Sequence, residues 1–429
     1  MLFENIDILD ENLEHRANCF VGTQGDRIAY IGTERPEEDF GETYDGRRRL
    51  LMSAFYNVHS HIPMTLLRGY AENLPLQRWL QEKCWPFEAL ITDEAALPAS
   101  LLAIAEMLRF GCISFTDMYY YTEARMAAVE QSGIKANLSN GMIVFDPDIE
   151  YANTPFFPAI NALVACNGAF DGRLKVELAP HSEYCMTEKT LRGVAEHARE
   201  AGLGINLHVS ETRSEHEECK ERHGGMTPTA FLESVGLLDS PVTAAHCAWA
   251  TDDDLAILKA HDATVATCPA SNLKLGSGVA STLRFKESGV NWAIGTDGVA
   301  SNNAHNLFRE MYLAAIAHRG AEENPVGIEA IDVLRAATAG GAHAQRRDDC
   351  GSLAVGKKAD LIVLDTDLPW MQPVSDMATN VVYSACGSEV VLTMADGRIL
   401  YHDGEWPTID VEKAMAETQG ATDDIASRL

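Results

Sequence analysis

Seven side chains of the 429-residue chain have types and spacings that could do chemistry together: His59, His61, His181, His208, Glu211, His246 and Asp297. His59 and His61 form a His-x-His pair. In an extended segment the side-chain period of two puts both imidazoles on one face, where they can grip one cation. A single strand-end histidine is an ordinary core or surface residue. Here, however, His208 and Asp297 lie at the ends of other β-rich runs and complete a set of three imidazoles and one carboxylate. That borderline-soft N/O set suits one divalent ion, Zn²⁺ on frequency and Fe²⁺ as the alternative. A dication so held lowers the pKa of a coordinated water toward about 7.

Glu211, three residues past His208, reads as a proton shuttle between that water and a ring nitrogen. The plainer reading is a surface glutamate opening a helix in the acidic stretch SETRSEHEE. His246, in TAAHCAWA, would orient the attacking water or stabilise developing negative charge. His181 would donate to a substrate or pack as a core residue. Of the other histidines, His197, His261 and His318 fall in helical stretches, and His15, His216, His223 and His402 read as solvent-facing. His305 has no assigned place. Cys185, Cys247 and Cys268 lie near strand ends, but none has a dedicated base, so a thiol nucleophile is disfavoured.

The elements that must hold these groups follow from the middle of the chain. Eight apolar, β-rich runs recur there: LLMSAFYNVH, CISFTDMY, IKANLSNGMIV, LKVELAPHS, GINLHVSE, VTAAHCAWA, TVATCPASN and NWAIGTDG. Stretches of helical spacing separate them, such as TEKTLRGVAEHAREAG. Strand–helix alternation with strands buried on both faces implies parallel pairing, and eight units match a (β/α)8 barrel. A doubly wound open sheet is the alternative, but no Gly-x-Gly-x-x-Gly follows any run. In a barrel the site lies at the C-terminal ends of the strands, where all seven side chains fall.

Both chain ends read differently, as short strands punctuated by Gly25, Gly356, Gly397 and Gly404. They predict a small β-sandwich shared by residues 1–52 and 347–429, flanking a barrel over 53–346. From Asp410 onward the pattern is a helix followed by a frayed tail.

Lys and Arg number 34 against 63 Asp and Glu, a net charge of −29 that repels polyphosphate, so nucleic-acid polymers and anionic membranes are excluded as partners. No apolar run approaches the roughly 20 residues of a membrane helix. The first residues lack a signal peptide's basic and apolar regions, and the ten cysteines form no CxxC pair, so reduced thiols in the cytoplasm are expected.

NVHSHIPMTLLRGYAENLPLQRWL, PHSEY, HVSET, AAHC, PASNLKLGSG and GTDGVASNN, in this order, resemble the mononuclear-metal branch of the amidohydrolase superfamily. The strongest likeness is to S-adenosylhomocysteine/5′-methylthioadenosine deaminases, relatives of guanine deaminase and of triazine hydrolases. It extends through GSLAVGKKADLIVLD, DLPWMQPV and YHDGEWPTID, nearly the whole chain. The resemblance implies a metal held by His59, His61, His208 and Asp297, Glu211 as proton shuttle and His246 facing the water. It further implies that Trp79 borders the purine, Glu88 binds the ribose hydroxyls and His181 contacts the substrate. Such relatives are often dimers or tetramers, and an acidic surface neither supports nor excludes a homo-oligomer.

The chain departs from the pattern in two places. Ser53-Ala54 replaces the usual Pro-Gly. Asn140 stands where members acting on S-adenosylhomocysteine carry the first of the arginines that clamp its carboxylate, and no Lys or Arg occurs between Lys135 and Arg173. A buried carboxylate without a cation is costly. The expected reaction is hydrolytic deamination of an adenine nucleoside (5′-methylthioadenosine, 5′-deoxyadenosine, adenosine or S-adenosylhomocysteine), with a small neutral 5′ group preferred. Phe156 and Phe157 either line the pocket for that group or serve ordinary loop packing. The rival reactions are deamination of guanine, pterin or cytosine-type rings, or dechlorination of a triazine. A noncatalytic binding protein on the same barrel is disfavoured by the intact glutamate and complete ligand set.

Overall fold

Five strands come from the N-terminal end of the chain: β1 (Leu2–Leu9), β2 (His15–Gln24), β3 (Arg27–Gly32), β4 (Thr43–Asp45) and β5 (Arg49–Ser53). Eight follow in the middle: β6 (Phe55–Ser60), β7 (Cys112–Tyr119), β8 (Lys135–Met142), β9 (Leu174–Pro180), β10 (Gly204–Val209), β11 (Val242–His246), β12 (Thr264–Thr267) and β13 (Asn291–Ile294). Three complete the set: β14 (Leu361–Asp365), β15 (Val390–Ala395) and β16 (Arg398–His402). The computed structural model describes residues 1–429.

β6 to β13 pair in sequence order, every neighbour parallel. The ends meet where Asp297 N and Thr296 N both donate to the His59 carbonyl, at 2.9 and 3.1 Å, so the sheet closes into the expected (β/α)8 barrel. Helices such as Glu188–Ala201 and Asp252–Ala260 cover it, each opened by a threonine whose hydroxyl accepts an amide of the first turn. Closure depends on Gly295. A Cβ there would lie 2.8 Å from His59 Cβ and 3.0 Å from His59 N. Gly295→Ala is expected to destabilise the fold by about 1–3 kcal/mol, read as a lower melting temperature. An unchanged melting temperature would show that the seam can relax.

The barrel interior is less apolar than the runs suggested. Glu177 accepts from Asn137 Nδ2 at 2.7 Å and Asn206 Nδ2 at 3.0 Å, and between the strands and the helix Thr122–Ser132 the fully buried Arg125 pairs with Asp117 at 2.8 Å. Buried polar groups persist where they are mutually bonded.

The first run is also not one strand. Leu50–Ser53 belongs to β5, which pairs with β1 and β14, whereas Phe55–Ser60 enters the barrel. The terminal strands form one sheet in the order β16-β15-β14-β5-β1-β2-β3, with β4 beside β1. It folds over a core that includes Phe3, Ile6, Val21, Leu361 and Met394. Its two edges approach so closely that a Cβ on Gly397, at φ +73°, would lie 2.1 Å from the Gly25 carbonyl oxygen. No frayed tail follows. The last helix runs Val411–Ser427 and packs on the helix Asp93–Arg109. No helix is long and apolar enough to cross a membrane.

Candidate metal centre and cavity

The strand ends bring His59, His61, His208 and Asp297 together, with one donor atom of each within 4.8 Å of every other. Three of the four side chains, all but His59, are held by a bond on their far side. His61 Nδ1 donates to the Met118 carbonyl at 2.6 Å, and His208 Nδ1 donates to the His181 carbonyl at 2.7 Å, so both turn Nε2 to the centre. Asp297 Oδ2 accepts from Ser271 Oγ at 2.5 Å and Ser301 Oγ at 2.9 Å, which leaves Oδ1 facing His61 Nε2 at 3.1 Å and His59 Nε2 at 3.6 Å. Such outer bonds fix the tautomer and orientation of metal ligands. Two residues at this rim hold left-handed backbone, His246 at φ +72° and Asp297 at φ +59°, a strain characteristic of functional sites.

The donor set fits a divalent cation. His59 is wholly buried, and neither of its ring nitrogens has a hydrogen-bond partner, an arrangement that is costly unless a cation takes a lone pair. Burial, together with the neighbouring His61, pushes the His59 pKa well below the imidazole range, and burial with the surrounding histidines does the same to His208. Both are therefore in the neutral, ligating form. Burial opposes charge on His61 as well, but the hydrogen bond and charge of Asp297 prevail and raise it to about 9. Burial likewise opposes ionisation of Asp297, and its bond to His61 outweighs this and holds it well below the carboxylate range. Asp297 is thus the anionic member of the set at the point where the four donors converge. A second grouping, Glu183, Cys219 and His223, also brings donors within 4.8 Å, but Arg222 already pairs with Glu183 at 2.6 Å and would repel a cation.

Glu211 is not the surface residue that its acidic neighbourhood allowed; only 5% of it is exposed. The loop after β10 turns at once into the helix Arg213–Arg222 through a capping box, in which Thr212 Oγ1 accepts the Glu215 amide. The Glu215 carboxylate accepts the amides of Ser210 at 3.0 Å and Glu211 at 2.8 Å, fixing the backbone that presents Glu211. Glu211 Oε1 accepts from Ser277 Oγ at 3.4 Å, and Oε2 lies 3.8 Å from His246 Nε2. Burial raises the Glu211 pKa, which suits a group that must carry a proton. His246 Nδ1 donates to Asn272 Oδ1 at 2.8 Å, which turns its Nε2 to the cavity.

A cavity of about 690 Å³ opens over this centre. His61, His181, His208, Glu211, His246 and Asp297 form its polar floor, while Trp79 and Glu88 stand in its wall with Leu76, Leu80, Trp85 and Ile143. Trp79 Nε1 donates to the Ala71 carbonyl at 3.2 Å. Glu88 Oε1 accepts from Tyr119 Oη at 2.5 Å, its carbonyl accepts from Tyr121 Oη at 2.9 Å, and burial raises its pKa. Burial lowers the His181 pKa to about 4, so it is neutral. No Lys or Arg lines the cavity.

Two expectations fail here, since Phe156 and Phe157 do not line the cavity and His216 does not face solvent, and Asn140 and His305 find their places. Asn140 points away from the cavity, its Oδ1 accepting from Arg125 Nη2 at 2.8 Å and Thr122 Oγ1 at 2.7 Å. Phe156 and Phe157 pack against the barrel core, Phe157 edge-on to Tyr151 at 5.1 Å, because the chain after β8 folds back onto the helix Glu188–Ala201. His216 is buried beside Ser210 Oγ at 3.1 Å rather than solvent-facing, and His305, also buried, bonds Thr296 Oγ1 at 3.0 Å. Sequence reasoning missed Tyr119, Tyr121, Ser271, Asn272 and Ser301. Asn272 and Ser271 sit in PASN, where Pro269 starts a short helix directly after β12, and that turn was the available signal.

A chain 39% identical over 420 residues, covering 98% of this chain and 97% of the relative, is a 5-methylthioadenosine/S-adenosylhomocysteine deaminase of Dictyoglomus thermophilum. A 5′-deoxyadenosine deaminase of Methanothermobacter thermautotrophicus is 37% identical with the same two coverages. The crystal structure of an adenosine deaminase from Xanthomonas campestris with bound zinc superposes with a TM-score of 0.92 at 29% identity, covering 99% of this chain and 98% of that one. The family profile described as "Amidohydrolase family" matches residues 50–400, which span every group placed in the centre and cavity, and the chain therefore belongs to the amidohydrolase family.

Proposed function

We propose that the chain hydrolytically deaminates an adenine nucleoside bearing a small neutral 5′ group, releasing ammonia and the inosine analogue. The observation that carries this reading is the placement of Glu211 and His246 beside a four-donor cluster, on the floor of a cavity walled by Trp79 and Glu88. His59, His61, His208 and Asp297 would hold the metal. Zinc is the proposed ion, supported by the zinc in the Xanthomonas deaminase. When bound, such an ion acts as a Lewis acid that acidifies water.

The chain's own residues do the rest. Trp79 borders the purine, and Glu88, held by Tyr119, accepts from the ribose hydroxyls. His246, its Nδ1 held by Asn272 Oδ1, presents Nε2 to the attacking water and orients it. Glu211 takes a proton from that water as its oxygen bonds to C6, and delivers it to the adjacent ring nitrogen. Proton transfer to the amino group then lets the C6–N bond break with loss of ammonia. His181, neutral, is placed to contact the substrate. The ten free thiols suit a reducing, cytoplasmic compartment.

The 5′ preference rests on the cavity wall. No Lys or Arg lines the cavity to pair the carboxylate of an amino-acid tail. Ammonia release measured on a nucleoside panel is expected to give 5′-methylthioadenosine, 5′-deoxyadenosine and adenosine a kcat/KM roughly 10- to 100-fold above that of S-adenosylhomocysteine. A preference for S-adenosylhomocysteine would overturn the 5′ assignment, and no ammonia from any adenosine would overturn the reaction.

A further inference from the structure

The cavity wall that carries Trp79 and Glu88 is not part of the barrel core. Residues Ile62–Leu67 and the helical stretch Leu76–Glu88 form an arm after β6, and its side chains Met64, Leu66, Leu67, Trp79 and Phe87 share a 14-residue cluster, separate from the main core, with Ala96, Ala99, Tyr119, Ala124 and Ala300. One member comes from the far end of the chain. Ile425, 2% exposed, inserts into that cluster from the C-terminal helix Val411–Ser427. Three residues earlier, Thr422 Oγ1 donates to the Leu66 carbonyl at 3.1 Å. The arm is therefore clasped from two sides. On the barrel side, Tyr119 and Tyr121 hold Glu88 through its carboxylate and its carbonyl. On the outer side, the C-terminal helix packs on Ile62–Leu67 and on the helix Asp93–Arg109, and adds Ile425 to the cluster that also holds Trp79.

We propose that the C-terminal helix positions the substrate-binding arm, with Ile425 and Thr422 as positioning residues that set how tightly Trp79 and Glu88 engage the nucleoside. The proposal rests on the reading that Trp79 and Glu88 contact substrate. In a cluster this small one large side chain is a substantial part of the packing, so its loss loosens the arm before it loosens the barrel. The metal centre lies on strand ends held by barrel hydrogen bonds and does not use the helix.

Ile425→Ala and Thr422→Val, each in the full chain, test this. Ile425→Ala is expected to raise KM for the nucleoside on the order of tenfold, with kcat within about threefold and metal content unchanged. Thr422→Val should shift KM in the same direction by less, and Ile425→Leu should restore it. Amide hydrogen exchange should accelerate over residues 62–91 in Ile425→Ala while β10 and β11 keep native protection. Because exchange needs no substrate, it reads the coupling even if the native protein deaminates no nucleoside, an outcome that would instead refute the proposed reaction. An unchanged exchange rate over the arm, or acceleration spread equally over the barrel strands, would overturn the positioning role. So would a loss of kcat at constant KM.

Discussion

Glu211→Gln is expected to retain the metal content of the native protein and to lose roughly 10²- to 10⁴-fold in kcat, the contribution of a positioned proton-transfer group. Glutamine keeps the size of the side chain and an oxygen for Ser277, so the geometry around it survives. What disappears is the ability to take a proton at one oxygen and release it. The raised pKa of the buried carboxyl is what brings it toward the working range, and an amide has no such equilibrium. Single-turnover kinetics with parallel elemental analysis separates the two effects. A variant turning over at near-native rate would remove Glu211 from the proton path, and one that lost its metal would recast Glu211 as a structural residue.

Asp297→Ala is expected to abolish detectable turnover by stripping the metal. Losing groups that merely orient a ligand costs about 10- to 100-fold in metal affinity, so losing the only carboxylate ligand must cost more. Three histidines would then face a dication without an anionic partner. The same substitution leaves the Ser271 hydroxyl without its acceptor, at about 1–3 kcal/mol, whereas Ser301 Oγ keeps the Gly298 carbonyl at 3.0 Å. Asp297→Asn keeps an acceptor for Ser271 and serves as the control. It should hold the melting temperature better than the alanine variant while remaining metal-poor and inactive. Native-level metal in either variant would show that Asp297 is not a ligand.

How much of this could be read without coordinates depended on how local the signal was. His59-x-His61 announces itself because two residues on one strand end share a face, and HVSE places Glu211 a short, fixed distance from His208. The strand–helix alternation was enough to fold the barrel on paper. The signal ran out where a side chain's direction is set by a distant partner. Asn140 turns from the cavity because Arg125, fifteen residues earlier, claims its oxygen, and nothing at position 140 announces that. Phe156 and Phe157 looked like pocket residues because they follow β8, but the intervening chain folds back on a helix. The run LLMSAFYNVH reads as one strand because apolar periodicity is blind to which sheet a residue joins; only pairing with β14 separates Leu51 from Tyr56. The helix expected after Asp410 carries through what read as a frayed tail, because Ile425 in that polar stretch is buried.

The sheet built from both chain ends constrains how the protein comes into being. β5 has its antiparallel partner in β14, and the pair Arg48–Asp367 beside it joins residues 319 positions apart. During synthesis, then, β1, β2 and β5 emerge first and must wait, with one edge bare, until nearly the whole polypeptide has left the ribosome. Such long-range closure slows folding and leaves an open strand available to other nascent chains meanwhile.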